Sequence, residues 1–246
     1  MEWRDRFTAR EKSPRDLVTE ADVASQVAIQ KLLAEQFPSH LFVGEEECSG
    51  DAGVLSHQNI SSEYRWIVDP LDGTANYVHG MPNWAVSIAL AHHDELLVGT
   101  VFDPILNECF SAARGGGAFL NGQPIRGSGC QRLSQAMIAA SFSANIPRGS
   151  PEIGRFVEML HECQSIRRLG SCALNLCYVA AGRLDGYWAT AVKSWDAAAG
   201  VLIVEEAGGI VTNLRGGPLN LERPELLAAA SPELQQQLIG VLAKGE

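Results

Sequence analysis

Asp69 and Asp72 stand three residues apart in Trp66-Ile67-Val68-Asp69-Pro70-Leu71-Asp72-Gly73-Thr74. The run from Tyr64 to Val68 reads as a buried strand that ends in a carboxylate. Pro70 cannot donate to a sheet ladder, so the strand is predicted to stop there with Asp69 at its tip. Gly73 and Thr74 let the backbone turn into a short helix, whose first N–H groups would point at whatever lies between the acids. Two fixed carboxylates beside such a helix start suit a divalent cation bridging to a phosphate. An ordinary turn fits the same residues: Asp-Pro and Asp-Gly are common turn dipeptides, and Asp72 could simply cap a helix.

Further acids share this placement. Glu45 and Glu46, in Gly44-Glu45-Glu46-Glu47, follow a short apolar run at Leu41 to Val43. Asp196 opens an alanine-rich segment, Ser194-Trp195-Asp196-Ala197-Ala198-Ala199-Gly200. Two carboxylates about 5 Å apart repel by roughly 3 kcal/mol at an effective dielectric near 20, so a converging set needs cations or protons. Oxygen ligands without His or Cys select magnesium or manganese.

The elements that must carry these groups can be read in order. Residues 1–18 are polar, contain Pro14 and read as a loop. Thr19-Glu20-Ala21-Asp22 resembles a capping box with an acid in its last position, and it opens a helix to about Gln36. Val23, Ala24, Val27, Ala28 and Leu32 form the expected apolar face. Cys48 to Ser62 reads as an exposed, mobile loop. Strands follow at Ala85 to Ala91, Leu96 to Phe102, Glu108 to Ala113 and Ala118 to Leu120, the last closed by the Asn121-Gly122 turn. Gly127-Ser128-Gly129 marks a domain junction, dividing the chain into 1–128 and 129–246. Beyond it strands and helices alternate: Met137 to Ser141, Glu152 to Glu162, Ser165 to Leu169, a helix capped by Ser171 and running to Ala181, Leu184 to Ala189, the Asp196 helix, Ile210 to Asn213, Leu226 to Ala230, and a helix started by Pro232. The pattern predicts a sheet covered on both faces.

The 246 residues are 46% hydrophobic and 20% charged, with a net charge of −10. That charge argues against a nucleic-acid groove or an anionic membrane as the main partner, but not against a phosphate ligand that arrives with metal ions. The six cysteines form no C-x-x-C pair, so reduced thiols in the cytoplasm are expected and a zinc site is not. The opening Met-Glu-Trp-Arg-Asp-Arg has no signal-peptide character, and no apolar stretch is long enough for a membrane span. Gly115-Gly116-Gly117 reads as a hairpin turn rather than a dinucleotide fingerprint, and His92-His93 as a solvated strand end rather than a ligand pair.

Together, Gly44-Glu45-Glu46, Trp66 through His79, Arg114 through Gly122 and Trp195 through Gly209 resemble the inositol monophosphatase family of the fructose-1,6-bisphosphatase superfamily. The likeness runs from about Lys12 to the C-terminus. It implies a layered αβαβα sandwich of the sugar phosphatase type, with an α+β N-terminal half and an α/β C-terminal half. It also implies a homodimer and a magnesium-dependent hydrolase acting on inositol monophosphate or another small sugar or polyol phosphate. By the resemblance, one metal is held by Glu45, Asp69 and the Leu71 carbonyl, a second by Asp69, Asp72 and Asp196, and a third near Glu45; Glu46 belongs to the same ligand set. Manganese could substitute. Thr74, hydrogen-bonded to Asp22, would orient and help deprotonate the attacking water, with Glu45 as a further catalytic acid. Substrate contacts would come from Leu71, Asp72, Gly73, Thr74, Gly170, Ser171, Cys172, Ala189 and Asp196.

Three features depart from the family. The N-terminal helix usual ahead of Lys12 is nearly missing, Ala189 stands where a glutamate often contacts inositol hydroxyls, and Cys172 stands where alanine is common. Rival readings are a nucleotide 3′-phosphatase or histidinol phosphatase of the same superfamily, and a non-catalytic regulatory protein that keeps the fold. An aspartyl-phosphate phosphatase is a further rival, although its second acid would be misplaced by the Pro70-Leu71 spacer.

Overall fold

The computed structural model describes residues 8–13, 16–46, 62–143, 145–222 and 224–245. The loop expected over Cys48 to Ser62 lies, apart from Ser62, outside the described residues.

Residues 10–13 and 16–18 are strands rather than loop. β1 (Arg10–Ser13) and β2 (Asp16–Val18) pair antiparallel. Their sequence lacks the apolar alternation that marks a half-buried strand, and Arg10 and Glu11 are exposed. Helix α1 (Glu20–Gln36) follows, started by a true capping box: Thr19 Oγ1 accepts from the Ala21 amide, and the Thr19 amide donates to Asp22. Its inward face is not the one the apolar pattern predicts. Val27 and Leu32 are exposed, whereas Ala21, Asp22 and Gln26 are buried.

The first sheet has seven strands in chain order: β3 (Leu41–Gly44), β4 (Tyr64–Asp72), β5 (Ala85–His92), β6 (Glu95–Asp103), β7 (Glu108–Ala113), β8 (Gly117–Leu120) and β9 (Gln123–Pro124). β3 and β4 are parallel, and the remaining neighbours are antiparallel hairpins or meanders. The short α2 (Thr74–Val78) leaves the end of β4. The second sheet is built from β10 (Met137–Ser141), β11 (Ser165–Arg167), β12 (Gly186–Ala189), β13 (Ile210–Thr212) and β14 (Leu226–Ala229), in the order β11-β10-β12-β14-β13. The first three of these in sheet order are parallel. Between the strands run α3 (Pro151–Glu162), α4 (Cys172–Ala180), α5 (Ser194–Glu206) and α6 (Pro232–Lys244).

These elements stack in five layers. α1 covers one face of the seven-stranded sheet, α4 and α5 lie between the two sheets, and α3 and α6 cover the far face of the five-stranded sheet. β12 shows why the second sheet is apolar on both faces: Tyr187 points into the middle layer and Trp188 into the outer one, and both are fully buried. The middle layer explains the alanines. Ala197, Ala198 and Ala199 of α5 are all buried, and α5 comes so close to β6 that a Cβ on Gly99 would sit 2.7 Å from the Ala199 carbonyl oxygen. On its other side a Cβ on Gly200 would meet Leu176 of α4 at 2.6 Å. Only small residues let a helix pack this tightly between a sheet and another helix. The layered α/β sandwich expected from the sequence is therefore the fold observed.

Candidate active site

The strand carrying Asp69 does not stop at Pro70. β4 runs to Asp72 through a bulge: Asp69 pairs with Ser87 and Asp72 with Ala85, so three steps on β4 oppose two on β5. In a flat strand, residues three apart point to opposite faces. The extra residue corrects this and puts both aspartates on the face of Ser87 and Ala85. That face meets α5, since Ser87 Oγ donates to the Trp195 carbonyl. Proline is tolerated because bulges leave ladder positions unpaired. The Asp69 carboxylate also accepts the Leu71 amide at 2.9 Å, which pins the bulge to its own side chain.

α1 grips this region with one polar face. Asp22, Ser25 and Gln26 stand at i, i+3 and i+4, the spacing of neighbours on a helix surface. Asp22 Oδ1 accepts from Thr74 Oγ1 at 3.0 Å, Ser25 Oγ donates to the Pro70 carbonyl at 3.0 Å, and Gln26 Oε1 accepts the Glu46 amide at 3.0 Å. Thus three neighbouring side chains hold three segments of the site. Asp22 serves both groups at once: Oδ2 takes the Thr19 amide and hydroxyl, the capping contact, while Oδ1 takes Thr74. Ser25 and Gln26 were missed from sequence, although their spacing from Asp22 was the available signal. A Cβ on Gly44 would lie 2.4 Å from Gln26 Oε1, so a larger residue there would displace the Gln26 side chain from its place against the Glu46 amide.

The C-terminal half closes on the same point. Asp72 is clamped by the start of α4: the Ser171 hydroxyl and the Ala173 amide (2.7 Å) bond Oδ2, and the Cys172 amide bonds Oδ1 at 3.2 Å. Charge at a helix N-terminus is favourable for an anion. Asp196 lies in the first turn of α5 and accepts the Lys193 amide at 2.8 Å. Asn76 and Asn83 both donate to the Leu169 carbonyl, tying the turn after β4 to the turn before α4. Sequence reasoning did not find these two asparagines.

Electrostatics show that the acids converge. Burial first, then Glu45, Asp72 and Asp196, hold the Asp69 carboxyl well above the ordinary aspartate range. Burial pushes Asp196 up to about 8, with Asp72 and Glu45 adding to it and the Lys193 amide opposing. Asp72 rises only to about 6, because the α4 hydroxyl and amides offset part of its desolvation. None of the dominant influences on these three aspartates is a cationic side chain. A desolvated cluster of like charges made only of oxygen donors has the chemistry of a hard divalent-cation site. The oxygens are not drawn into a closed ligand set, since Asp72 has turned both of its own toward α4. Among the described residues, the only trio with one ligand atom each within 4.8 Å of the others lies elsewhere, at Glu63, His92 and His93.

The other expected site residues fall into two groups. Leu71 places its carbonyl beside Thr74 Oγ1 at 3.1 Å, and Glu46 is buried next to Glu45 with its amide on Gln26. Gly73 adopts φ +95° at the head of α2, and Gly170 adopts φ +89° against Asn76, conformations that favour glycine. Ser171, Cys172 and Ala189 are buried, however. The Ser171 hydroxyl and the Cys172 amide are both committed to Asp72. Ala189 closes the end of β12 between Ser141 and Leu226 and offers a ligand no surface. The Cys172 thiol is pushed well above its ordinary range, chiefly by burial and then by Asp196 and Asp72, so it is held protonated.

A family model described as "Inositol monophosphatase family" matches residues 1–245. Inositol monophosphatase 2 of Solanum lycopersicum is 42% identical over 234 residues, 94% of this chain and 87% of that protein. Nus factor SuhB of Pasteurella multocida is 40% identical over 239 residues, 97% of this chain and 86% of that protein. Among solved structures, the extragenic suppressor protein suhB of Bartonella henselae superposes with a TM-score of 0.89 at 36% identity, covering 99% of this chain and 91% of the other.

Proposed function

Because the chain belongs to the inositol monophosphatase family, we propose that it is a magnesium-dependent phosphomonoesterase acting on inositol monophosphate or a related small polyol phosphate. The observation that carries this reading is the meeting of Glu45, Asp69 and Asp72 from the first sheet with Asp196 from α5, beside the Thr74–Asp22 pair. Glu45, Asp69 and the Leu71 carbonyl would hold one cation, Asp69, Asp72 and Asp196 a second, and the surroundings of Glu45 and Glu46 a third. Bound magnesium supplies charge neutralisation for the phosphate and lowers the pKa of water.

The chain's own contribution is positional. The Thr74 hydroxyl has one proton, and its acceptors, Asp22 and the Leu71 carbonyl, are both in place. A lone pair of Thr74 is then left to accept a hydrogen bond from the attacking water and turn it toward phosphorus. Gly73 and Thr74 would hold the phosphate through their amides, and the Gly170 turn would border the leaving alcohol. Ala189, where the family pattern often has a glutamate, is buried and offers no carboxylate, and Arg168 stacks 4.0 Å over the Phe142 ring. The division near residue 128 is part of the same proposal: each half brings acids that the other lacks. So are a homodimer and a cytoplasmic setting, the latter supported by free cysteines at 109, 130, 163, 172 and 177. No helix among the described residues is long and apolar enough to cross a membrane.

The test is hydrolysis of inositol, sugar, nucleotide and histidinol phosphates by the purified protein, with and without magnesium and beside Asp69→Asn. Magnesium-dependent release of phosphate by the wild type alone is expected. Inertness toward every monoester would overturn the reading in favour of a non-catalytic protein.

A further inference from the structure

We propose that Glu63, His92 and His93 form a second cation site, separate from the acidic one and suited to a borderline ion such as Zn2+. Adjacent residues of a strand normally point to opposite faces, so two neighbouring histidines should not share a ligand. Here they do. His92 is the last residue of β5, and His93 takes the left-handed conformation at φ +53°, which swings its ring back beside that of His92, with centroids 4.4 Å apart. A non-glycine residue rarely adopts that conformation, and its effect is to bring both imidazoles to one carboxylate. His92 Nε2 lies 3.4 Å from one Glu63 oxygen and His93 Nε2 lies 3.7 Å from the other.

Those spacings match a metal polyhedron. Zinc bonds of ~2.0–2.1 Å in a tetrahedron put ligand atoms about 3.3 Å apart. The three ligand atoms already lie within 4.8 Å of one another, so only a small contraction is needed. The backbone is fixed beforehand: the His93 amide donates to the Glu63 carbonyl at 2.8 Å, Tyr64 pairs with His92 across β4 and β5, and the Tyr64 ring packs on His92 at 4.6 Å. The set is partly exposed, which leaves a fourth position for water.

Donor chemistry separates this site from the acidic one. Two imidazoles and one carboxylate favour zinc or a neighbouring transition ion over magnesium, whereas the cluster at Asp69 is all oxygen. Distance separates them too, since Glu63 immediately precedes β4 and Asp69 lies five residues into the strand from Tyr64, about 16 Å at ~3.3 Å per residue. The inference is independent of the phosphatase reading.

Calorimetric titration of the full chain with Zn2+ in saturating magnesium tests it. One equivalent is expected to bind to the wild type and to Asp69→Asn alike. It should weaken in Glu63→Gln and in the double variant His92→Ala/His93→Ala. Losing even an outer partner of a metal ligand costs roughly 10–100-fold in affinity, so loss of a ligand should cost at least that. The ring signals of His92 and His93 should shift on Zn2+ addition in a proton–nitrogen NMR spectrum, and circular dichroism of the variants should match the wild type. Three results would overturn the proposal: no zinc bound under magnesium, zinc affinity unchanged in the double variant, or an equivalent that disappears in Asp69→Asn.

Discussion

At the scale of single residues, the site depends on groups that serve two partners at once. Asp22 uses one carboxylate oxygen to cap α1 and the other to hold Thr74. Asp22→Asn should therefore cost stability, roughly 1 kcal/mol as for a lost cap, together with turnover; denaturant melts and steady-state rates read the two separately. Thr74→Ala leaves every carboxylate in place. It should lower kcat by roughly 10²–10⁴-fold, the usual worth of a general acid–base group, while magnesium binding by calorimetry stays near wild type. Asp69→Asn, at a position shared by both expected cations, should lose turnover and magnesium affinity together. If Thr74→Ala lost magnesium as completely, the separation between positioning water and holding metal would fail.

At the scale of elements, α1 and α5 carry the geometry. Gln26 gives α1 its hold on the turn that bears Glu45 and Glu46. Gln26→Ala should leave the helix folded but loosen that turn, raising the magnesium needed for half-maximal activity by roughly 10–100-fold. The magnesium dependence of kcat checks this, and an unchanged curve would mean that Gln26 only fills space. α5 carries Asp196 through the middle layer, where Gly99 lets its backbone touch β6. Gly99→Ala puts a methyl group against a main-chain carbonyl that cannot rotate away. It should cost about 1–3 kcal/mol of stability and reduce activity by displacing Asp196. Full activity in a destabilised Gly99→Ala protein would show that the depth of α5 does not set the site. The low apolar contrast of α1 has the same origin, because its inward face must bond to loops rather than fill a core.

At the scale of the molecule, gathering acids from the first sheet and from α5 makes the metal-free protein sensitive to pH. Asp69, Asp72 and Asp196 all titrate above the ordinary aspartate value of 3.8, with Asp72 at about 6 and Asp196 at about 8. Across that range the folded protein binds more protons than the unfolded chain, so its stability must fall as pH rises. The contribution is complete below the unfolded value and is lost as pH climbs through the folded ones. Chelator-treated protein should accordingly melt at a higher temperature at pH ~5.5 than at pH ~8, and magnesium should reverse the loss at the upper pH by binding only the folded state. Calorimetric scans at both pH values check it. A melting temperature that rises with pH in chelator would show that the carboxylates do not repel one another as placed.

Short-range chemistry explains how much could be read in advance. Met137–Ser141, the Ser171-capped helix and the Pro232 helix follow the pattern of their residues because turn formers, caps and period-2 apolar runs act within a few positions. The acids at 45, 69, 72 and 196 stand out in the sequence for a related reason: each ends an apolar strand or opens an alanine-rich helix, positions marked by short-range patterning. What the chain alone could not reveal depends on distant partners. The bulge at Pro70 exists only in register with β5, and without that register Asp69 and Asp72 would be assigned to opposite faces. The polar face of α1, the clamp of α4 on Asp72 and the burial of Ala189 each need a neighbour from 20 to 101 residues away. The two histidines at the end of β5 looked like a solvated pair because alternation separates neighbours, and one left-handed residue cancels that rule. Composition and spacing thus determined which groups this protein could use, whereas pairing across the sheets decided which of them meet, because a side chain's direction is set by the backbone that its partner strand or helix imposes.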